Sequence, residues 1–324
     1  MRPGERGAAL LAVLLLVALI ATLAAIAMDK LALATRLAGN ARATDQARGY
    51  ALGAEGLATL IVDRLSNRQR GEASLPAGWP GEARSIPVEG GIIRARLGDG
   101  GSCFNINSLV AGNELTGFRA DAASMERLAT LLRIIGVRTA RIAPIVSAIT
   151  DWIDSDDQPL PQGAEDSSYQ RAPVPYRTAN TLMADVTELR AVVGVTPQTF
   201  GALRPWVCAH PVSTTDPLNV NILPPDRAPL LAMLFGGRMS VSQAAALLRS
   251  RPAGGWSSVE QFRAIPAVSA AAGAAGLGQD LGLRTRWFTL DLDVSVDGAQ
   301  VKEIALIDGG IAPSRVVARS WGNQ

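Results

Sequence analysis

The densest chemistry in the chain lies in Asp151-Trp-Ile-Asp-Ser-Asp-Asp-Gln-Pro-Leu-Pro-Gln-Gly-Ala-Glu-Asp-Ser-Ser-Tyr169, where six carboxylates fall within sixteen residues. Pro159, Pro161 and Gly163 fold this stretch back on itself rather than let it extend. Carboxylates held so close repel one another unless something neutralises them. A hard cation with roughly six to eight oxygen ligands does so; calcium accepts an irregular loop, whereas magnesium favours fewer carboxylates and keeps several waters. The spacing is not that of an EF-hand, since Asp-x-Asp-x-Asp-Gly is absent. Three other readings are a solvated acidic loop, carboxylates capping nearby helices through backbone N–H groups, and the paired carboxyls of a glycosidase or aspartic protease. No substrate-binding constellation stands beside them.

Other reactive side chains are few. The single histidine, His210 in Cys208-Ala-His-Pro-Val, reads as a surface-loop residue, and a histidine-based triad would have to use it. Cys103 and Cys208 are the two cysteines. In an oxidising compartment they form either a disulfide, closing a loop of about a hundred residues worth ~4–5 kcal/mol, or a pair of buried thiols. A formal net charge of +2 leaves no strongly basic field to hold a nucleic acid.

The elements that carry these groups begin with a membrane segment. Arg2 and Arg6 precede about twenty nearly uninterrupted apolar residues up to Met28, enough at ~1.5 Å per residue to cross a bilayer, with the charges favouring a cytoplasmic N-terminus. It reads as a signal peptide cut near Ala25-Ile-Ala27, an uncleaved anchor, or a prepilin leader cut after Gly7. From Leu31 to about Arg70 there is no proline. Leu37, Ala41, Thr44, Ala47, Ala51, Ala54, Ala58, Ile61 and Leu65 recur at steps of three and four, so the helix continues outward with one narrow stripe needing a neighbour.

Gly71 to Gly91 reads as a connection, and Ile92–Leu97 with Cys103–Asn107 as a hairpin. Matching β material comes only at the far end. Phe288, Leu290, Leu292, Val294 and Val296 share a face, Asp297-Gly298 makes a tight turn, Val301–Ile307 returns, and Ser314–Trp321 adds a last strand. Everything between is an insertion containing a repeat. Val186–Thr196 aligns on Val259–Ser269, with Asp185 and Ser258 as caps, and Phe104-Asn-Ile-Asn107 matches Leu218-Asn-Val-Asn221, followed by helices around Arg127–Ile135 and Pro229–Phe235. These units resemble helix-hairpin-helix domains. Their hairpins, Gly136-Val-Arg, Gly194-Val-Thr, Gly236-Gly-Arg and Ala267-Val-Ser, lack the usual second glycine two positions after the first, which makes the alternative of a membrane-tethered DNA-binding protein the weaker reading and nucleic acid an unlikely partner.

Together the Arg6-Gly7/Ala8 leader, Phe104-Asn-Ile-Asn107, Asp151-Trp-Ile-Asp154, Gly163-Ala-Glu-Asp166, Tyr176-Arg-Thr-Ala-Asn180 and Leu218-Asn-Val-Asn221 resemble minor pseudopilin K of type II secretion over nearly the whole chain. Ala12 stands at the fifth mature position, where most pseudopilins have glutamate and this family does not. The resemblance implies an α+β pseudopilin fold, a long N-terminal helix packed on an antiparallel sheet, with a large inserted all-α domain of two helix-hairpin-helix-like units. It divides the chain into a leader (1–7), a long helix (8–70, transmembrane about 8–28), a pseudopilin domain (71–107 and 281–324) and the inserted domain (108–280) with its acidic loop (151–169). It further implies a non-enzymatic tip subunit of the pseudopilus in the bacterial inner membrane, most of its chain periplasmic, associating with minor pseudopilins I and J. Prepilin peptidase would cut after Gly7 and Ala8 would be N-methylated. Calcium would be held by Asp154, Asp156, Glu165 and Asp166, with Asp151 and the backbone or side chain of Gln158 as further candidates.

Overall fold

Alanine and leucine dominate the first seventy residues, and no proline follows Pro3 until past Gly71, so nothing interrupts a helix. The computed structural model describes residues 3–71, 81–171, 173–272 and 280–322. Helix α1 spans Pro3–Gly71 and contains Gly7 and Ala8 in its first turns; Met1 and Arg2 lie outside the described residues. Among the described residues it is the one helix long and apolar enough to cross a membrane.

Beyond it the chain forms β1 (Arg84–Val88), β2 (Gly91–Asp99), β3 (Phe104–Asn105), β4 (Val110–Asn113), β5 (Gly117–Ala120), α2 (Ala122–Ile134), α3 (Thr139–Ile153) and α4 (Asp166–Tyr169). A 3-10 turn (Val186–Ala191), α5 (Pro197–Leu203), β6 (Val207–Cys208), β7 (Leu218–Asn219), α6 (Ala228–Leu234), α7 (Val241–Arg249), α8 (Val259–Arg263), α9 (Pro266–Ala272) and β8 (Leu281–Gly282) complete the insert. The chain then returns through β9 (Trp287–Val296), β10 (Ala299–Asp308) and β11 (Arg315–Trp321).

One antiparallel sheet runs β1-β2-β9-β10-β11. Strand alternation sends Phe288, Leu290, Leu292, Val294 and Val296 onto α1, where Ala47, Ala51, Ala54, Ala58 and Val62 meet them. Small side chains on the helix allow that close approach. Asp297 and Gly298, both with positive φ (47° and 84°), make the tight turn between β9 and β10.

Two sequence expectations change here. The buried stripe of α1 takes longer steps than the predicted one, bringing Val62, Ser66 and Gln69 inward while Ile61 stays 48% exposed. It also carries polar groups that fasten the helix. Arg319 donates to both Glu55 and Glu303, Asp63 accepts from the N–H and hydroxyl of Ser314 (both 2.7 Å), and Gln69 accepts from the Thr285 N–H (2.6 Å). Burial and the adjoining Glu55 carboxylate push the Glu303 carboxyl up to about 8.

The second change concerns the hairpin. Strand β2 pairs with β1, upstream, and Cys103–Asn107 leaves the sheet. The Gly100 N–H caps β2 on the Trp287 carbonyl (2.9 Å), and β3 turns away to pair in parallel with β6 inside the insert, where Phe104 and Ile106 are buried. Residues 72–80 of the predicted connection lie outside the described residues; the rest of it contains β1.

The insert has its own core, continuous from Phe104 to Leu283 and separate from the core between α1 and the sheet. Its repeat is physical. In the first unit Asn105 accepts from the Asn107 N–H, and Asn107 both donates to the Met183 carbonyl (2.9 Å) and accepts from its N–H (2.8 Å). In the second unit Asn219, Asn221 and Trp256 repeat that pattern at 2.9, 2.9 and 2.8 Å. Each asparagine pins the backbone just before a short capped turn, opened by Asp185 in one unit and Ser258 in the other. Strands β7 and β8 pair in parallel as β3 and β6 do.

Candidate metal centre

The acidic loop hangs from the C-terminal end of α3, where unpaired carbonyls give the helix a partial negative charge. A carboxylate is disfavoured there. Yet Asp151 sits in the last turn fully buried, and Asp154 closes the helix with only 3% of its surface exposed.

Asp151 is satisfied by the loop itself, accepting from the N–H groups of Leu160 (3.1 Å) and Ala164 (2.7 Å). This fold-back is what the prolines and Gly163 permit; a Cβ at Gly163 would collide with the Asp151 carboxylate. Ser147 adds a bond to the Pro161 carbonyl (3.0 Å). The loop thereby returns Glu165, 3% exposed, beside Asp154.

One carboxylate oxygen each from Asp154, Asp156 and Glu165 lie within 4.8 Å of one another. Asp154 Oδ1 and Glu165 Oε1 are buried without a hydrogen-bond partner. Burial, then the charges of Asp156 and Asp151, push the Asp154 carboxyl up to about 7. Burial, then Asp151 and Asp154, push Glu165 likewise to about 7. Uncompensated buried acceptors of this kind cost free energy until a cation or proton reaches them.

The other predicted ligands, Asp166 and Gln158, make hydrogen bonds within the chain around the loop. Asp166 accepts from the N–H (3.0 Å) and hydroxyl (2.9 Å) of Thr178, which fixes the chain that follows. Gln158 is exposed and donates its backbone N–H to Asp156 (2.9 Å), holding that carboxylate in place. Sequence reasoning missed Asn180, whose Oδ1 is also buried without a partner while its amide N–H groups bond to Asp157 (3.3 Å, side chain) and Trp152 (3.1 Å, backbone). Its membership of Tyr176-Arg-Thr-Ala-Asn180 was the available signal. Trp152, Tyr169 and Tyr176 form a packed aromatic floor, with ring centroids 5.2 to 6.2 Å apart.

A second cluster lies where the insert meets the sheet. Cys103 and Cys208 are joined as a disulfide, with Cα atoms 5.8 Å apart. His210 is no surface residue. It is 3% exposed, stacked on Trp287 at 4.5 Å, and burial depresses its pKa to about 4, leaving it neutral. Asp216 accepts from Arg286 (3.1 Å) and Trp287, and Arg286 also grips Asp308 (3.0 and 2.9 Å), so charged groups bridge the two cores.

A membrane-length helix laid on a small antiparallel sheet, interrupted by a duplicated helical unit with a partly buried cluster of carboxylates, defines the large-pseudopilin class. The chain belongs to the type II secretion system protein K family: the family's two models match residues 102–212 and 218–284. It is 37% identical to type II secretion system protein K of Pectobacterium carotovorum subsp. carotovorum, over 99% of this chain and 98% of that protein. It is 34% identical to the Klebsiella pneumoniae protein, over 98% and 97%. The GspK-GspI-GspJ complex from enterotoxigenic Escherichia coli contains a similar chain, with a TM-score of 0.75 and 29% identity, covering 86% of this chain and 97% of that one.

Proposed function

We propose that this chain is the minor pseudopilin at the tip of the type II secretion pseudopilus, and that calcium closes its acidic loop. The observation that carries the calcium reading is the pair of buried, unpartnered carboxylate oxygens of Asp154 and Glu165, facing Asp156 at the negative end of α3. Asp154, Asp156 and Glu165 would hold the ion, with Asn180 Oδ1 as a further oxygen, while Asp151, Gln158 and Asp166 shape the loop. Bound calcium supplies the positive charge that this all-oxygen pocket lacks.

The helix α1 would anchor the chain in the bacterial inner membrane before assembly, with its bulk in the periplasm. Prepilin peptidase would cut after Gly7, and Ala8 would be N-methylated. The complex formed by the similar GspK chain supports pseudopilins I and J as partners. Exposed Leu52, Leu57, Leu60 and Ile61 on α1 point away from its own sheet and suit helix-to-helix packing.

The role is structural. A carboxylate hydrolase would need one carboxyl of raised pKa set apart from its partner, but here burial, then mutual repulsion, raises both Asp154 and Glu165 to about 7. DNA binding through the hairpins is disfavoured because none carries the usual glycine two positions after the first and the cation of one, Arg238, is used internally, donating to the carbonyls of Ala271 (2.7 Å) and Ala272 (2.9 Å).

Thermal unfolding of the full chain in detergent, with calcium and with chelator, tests the reading. Calcium at a hundredfold its Kd should add about 2.7 kcal/mol. Asp154→Ala combined with Glu165→Ala should abolish that gain, and identical melting in calcium and chelator would remove the metal from the proposal.

A further inference from the structure

We propose that the reduced form of Cys103 and Cys208, with His210 and Asp216, is a site for a thiophilic divalent cation such as zinc, which the disulfide replaces on oxidation. Both sulfurs and a nitrogen of His210 fall within 4.8 Å of one another. Cys103 Sγ lies 3.9 Å from Nε2, Cys208 Sγ 4.0 Å from Nδ1, and Asp216 Oδ2 4.0 Å from Nδ1. Ligands about 2.0–2.3 Å from a tetrahedral zinc stand about 3.3–3.8 Å apart, so the Cys208 and Asp216 separations need little change, while reduction must let the two bonded sulfurs move apart and Cys103 Sγ swing from the Nε2 edge of the ring toward Nδ1.

The histidine is oriented for the task. Nε2 faces the Gly100 carbonyl at 3.0 Å, and a carbonyl can only accept, so Nε2 carries the proton and Nδ1 presents its lone pair toward Cys208 and Asp216. Metal-bound histidines characteristically donate their other ring N–H in this way. Stacking on Trp287 fixes the ring, and Arg286 and the Trp287 indole fix the Asp216 carboxylate. Beside these groups is a cavity of about 30 Å³ lined by Gly101, Cys103, Asn105, His210 and Asp216, room for about one ion or water.

The chemistry balances. A phosphine or dithiol reductant gives two electrons to the disulfide, two protons complete the thiols, and a zinc ion then displaces those two protons to bind both thiolates; in the reverse direction a disulfide-bearing oxidant accepts the two electrons by thiol–disulfide exchange, becoming a dithiol, as the Cys103–Cys208 bond forms and the ion leaves. Metal and disulfide would hold the same junction between insert and sheet in turn, the metal in chains not yet oxidised.

The test uses full-length protein in detergent, reduced by a phosphine and titrated with cobalt(II). One equivalent should give thiolate-to-cobalt charge-transfer bands and intense tetrahedral visible bands, and the oxidised protein should give neither. Cys208→Ser should remove most of the charge-transfer intensity, while His210→Gln and Asp216→Asn should each weaken binding about tenfold or more. Zinc should slow alkylation of the two wild-type thiols at least about tenfold, a readout that does not depend on any variant folding. A reduced wild-type chain, folded or not, that shows no charge-transfer band and no protection overturns the proposal, as does unchanged cobalt affinity in a folded His210→Gln protein.

Discussion

From α7 to Trp256 the second unit of the insert needs only a short connection, and Arg251 closes it by donating to the carbonyls of Asn221 (2.7 Å) and Leu223. From α3 to Met183 the first unit takes a far longer path, and its side chains at the equivalent place are carboxylates with buried oxygens left over. Both units pin the end of the connection with the same asparagine bonds. The difference lies in the source of the positive charge, covalent in one unit and, on the proposal above, bound from solution in the other. An element that depends on a bound ion can be stabilised or released by its surroundings, whereas one that carries its own arginine cannot.

The shared pins should show the largest effect and no metal dependence. Asn107→Ala and Asn221→Ala each strand buried backbone groups and should cost about 2–4 kcal/mol by denaturant unfolding, alike in calcium and chelator. A calcium-dependent cost for Asn221→Ala would erase the contrast. Next comes the ion: the double variant at Asp154 and Glu165 should lose about 2–3 kcal/mol in calcium and almost nothing in chelator. Arg251→Met should cost about 1–2 kcal/mol in both media, read as a fall in Tm of a few degrees.

The smallest effect is a pH slope. Asp154 and Glu165 bind protons more tightly folded than unfolded, each with a folded pKa of about 7 against ordinary values near 4. Their stabilising contribution is therefore complete below about pH 4 and is lost as pH rises through about 7. Glu303, raised to about 8, slopes the same way. The chelated protein should thus melt lower at pH 8 than at pH 5, more steeply than the double variant, and calcium should flatten the difference. Identical slopes for the two proteins in chelator would mean that the loop carboxylates do not titrate as described.

Long periodic elements were legible in the sequence, as were the repeat and the place of the acidic loop. Strand β9 alternates apolar and polar residues through its whole length, and Asp297-Gly298 names its turn. The second half of the α1 stripe was not legible, because Glu55 and Gln69 are polar and their partners lie more than two hundred residues away in Arg319 and Thr285. Cys103–Asn107 looked like the return strand of a hairpin with Ile92–Leu97, since pairing with Val207–Cys208 leaves no local mark. Within the loop, composition located the carboxylates but could not assign them. Asp151 and Asp166 are satisfied by backbone at positions 160, 164 and 178, and only the folded chain shows which oxygens remain. His210 was misplaced because the ring that covers it, Trp287, arrives from the far side of the insert.

Strands β2 and β9 are neighbours in the sheet, yet the whole insert separates them in sequence. Joining such distant strands from an open chain carries a closure entropy on the order of 4–5 kcal/mol. An insert that folds first brings its two ends together through β3 with β6, β7 with β8 and the Arg127–Asp280 pair (2.6 Å). A chain whose helical insert assembles first would therefore meet most of that cost before the central sheet, with the docking face for α1, pairs.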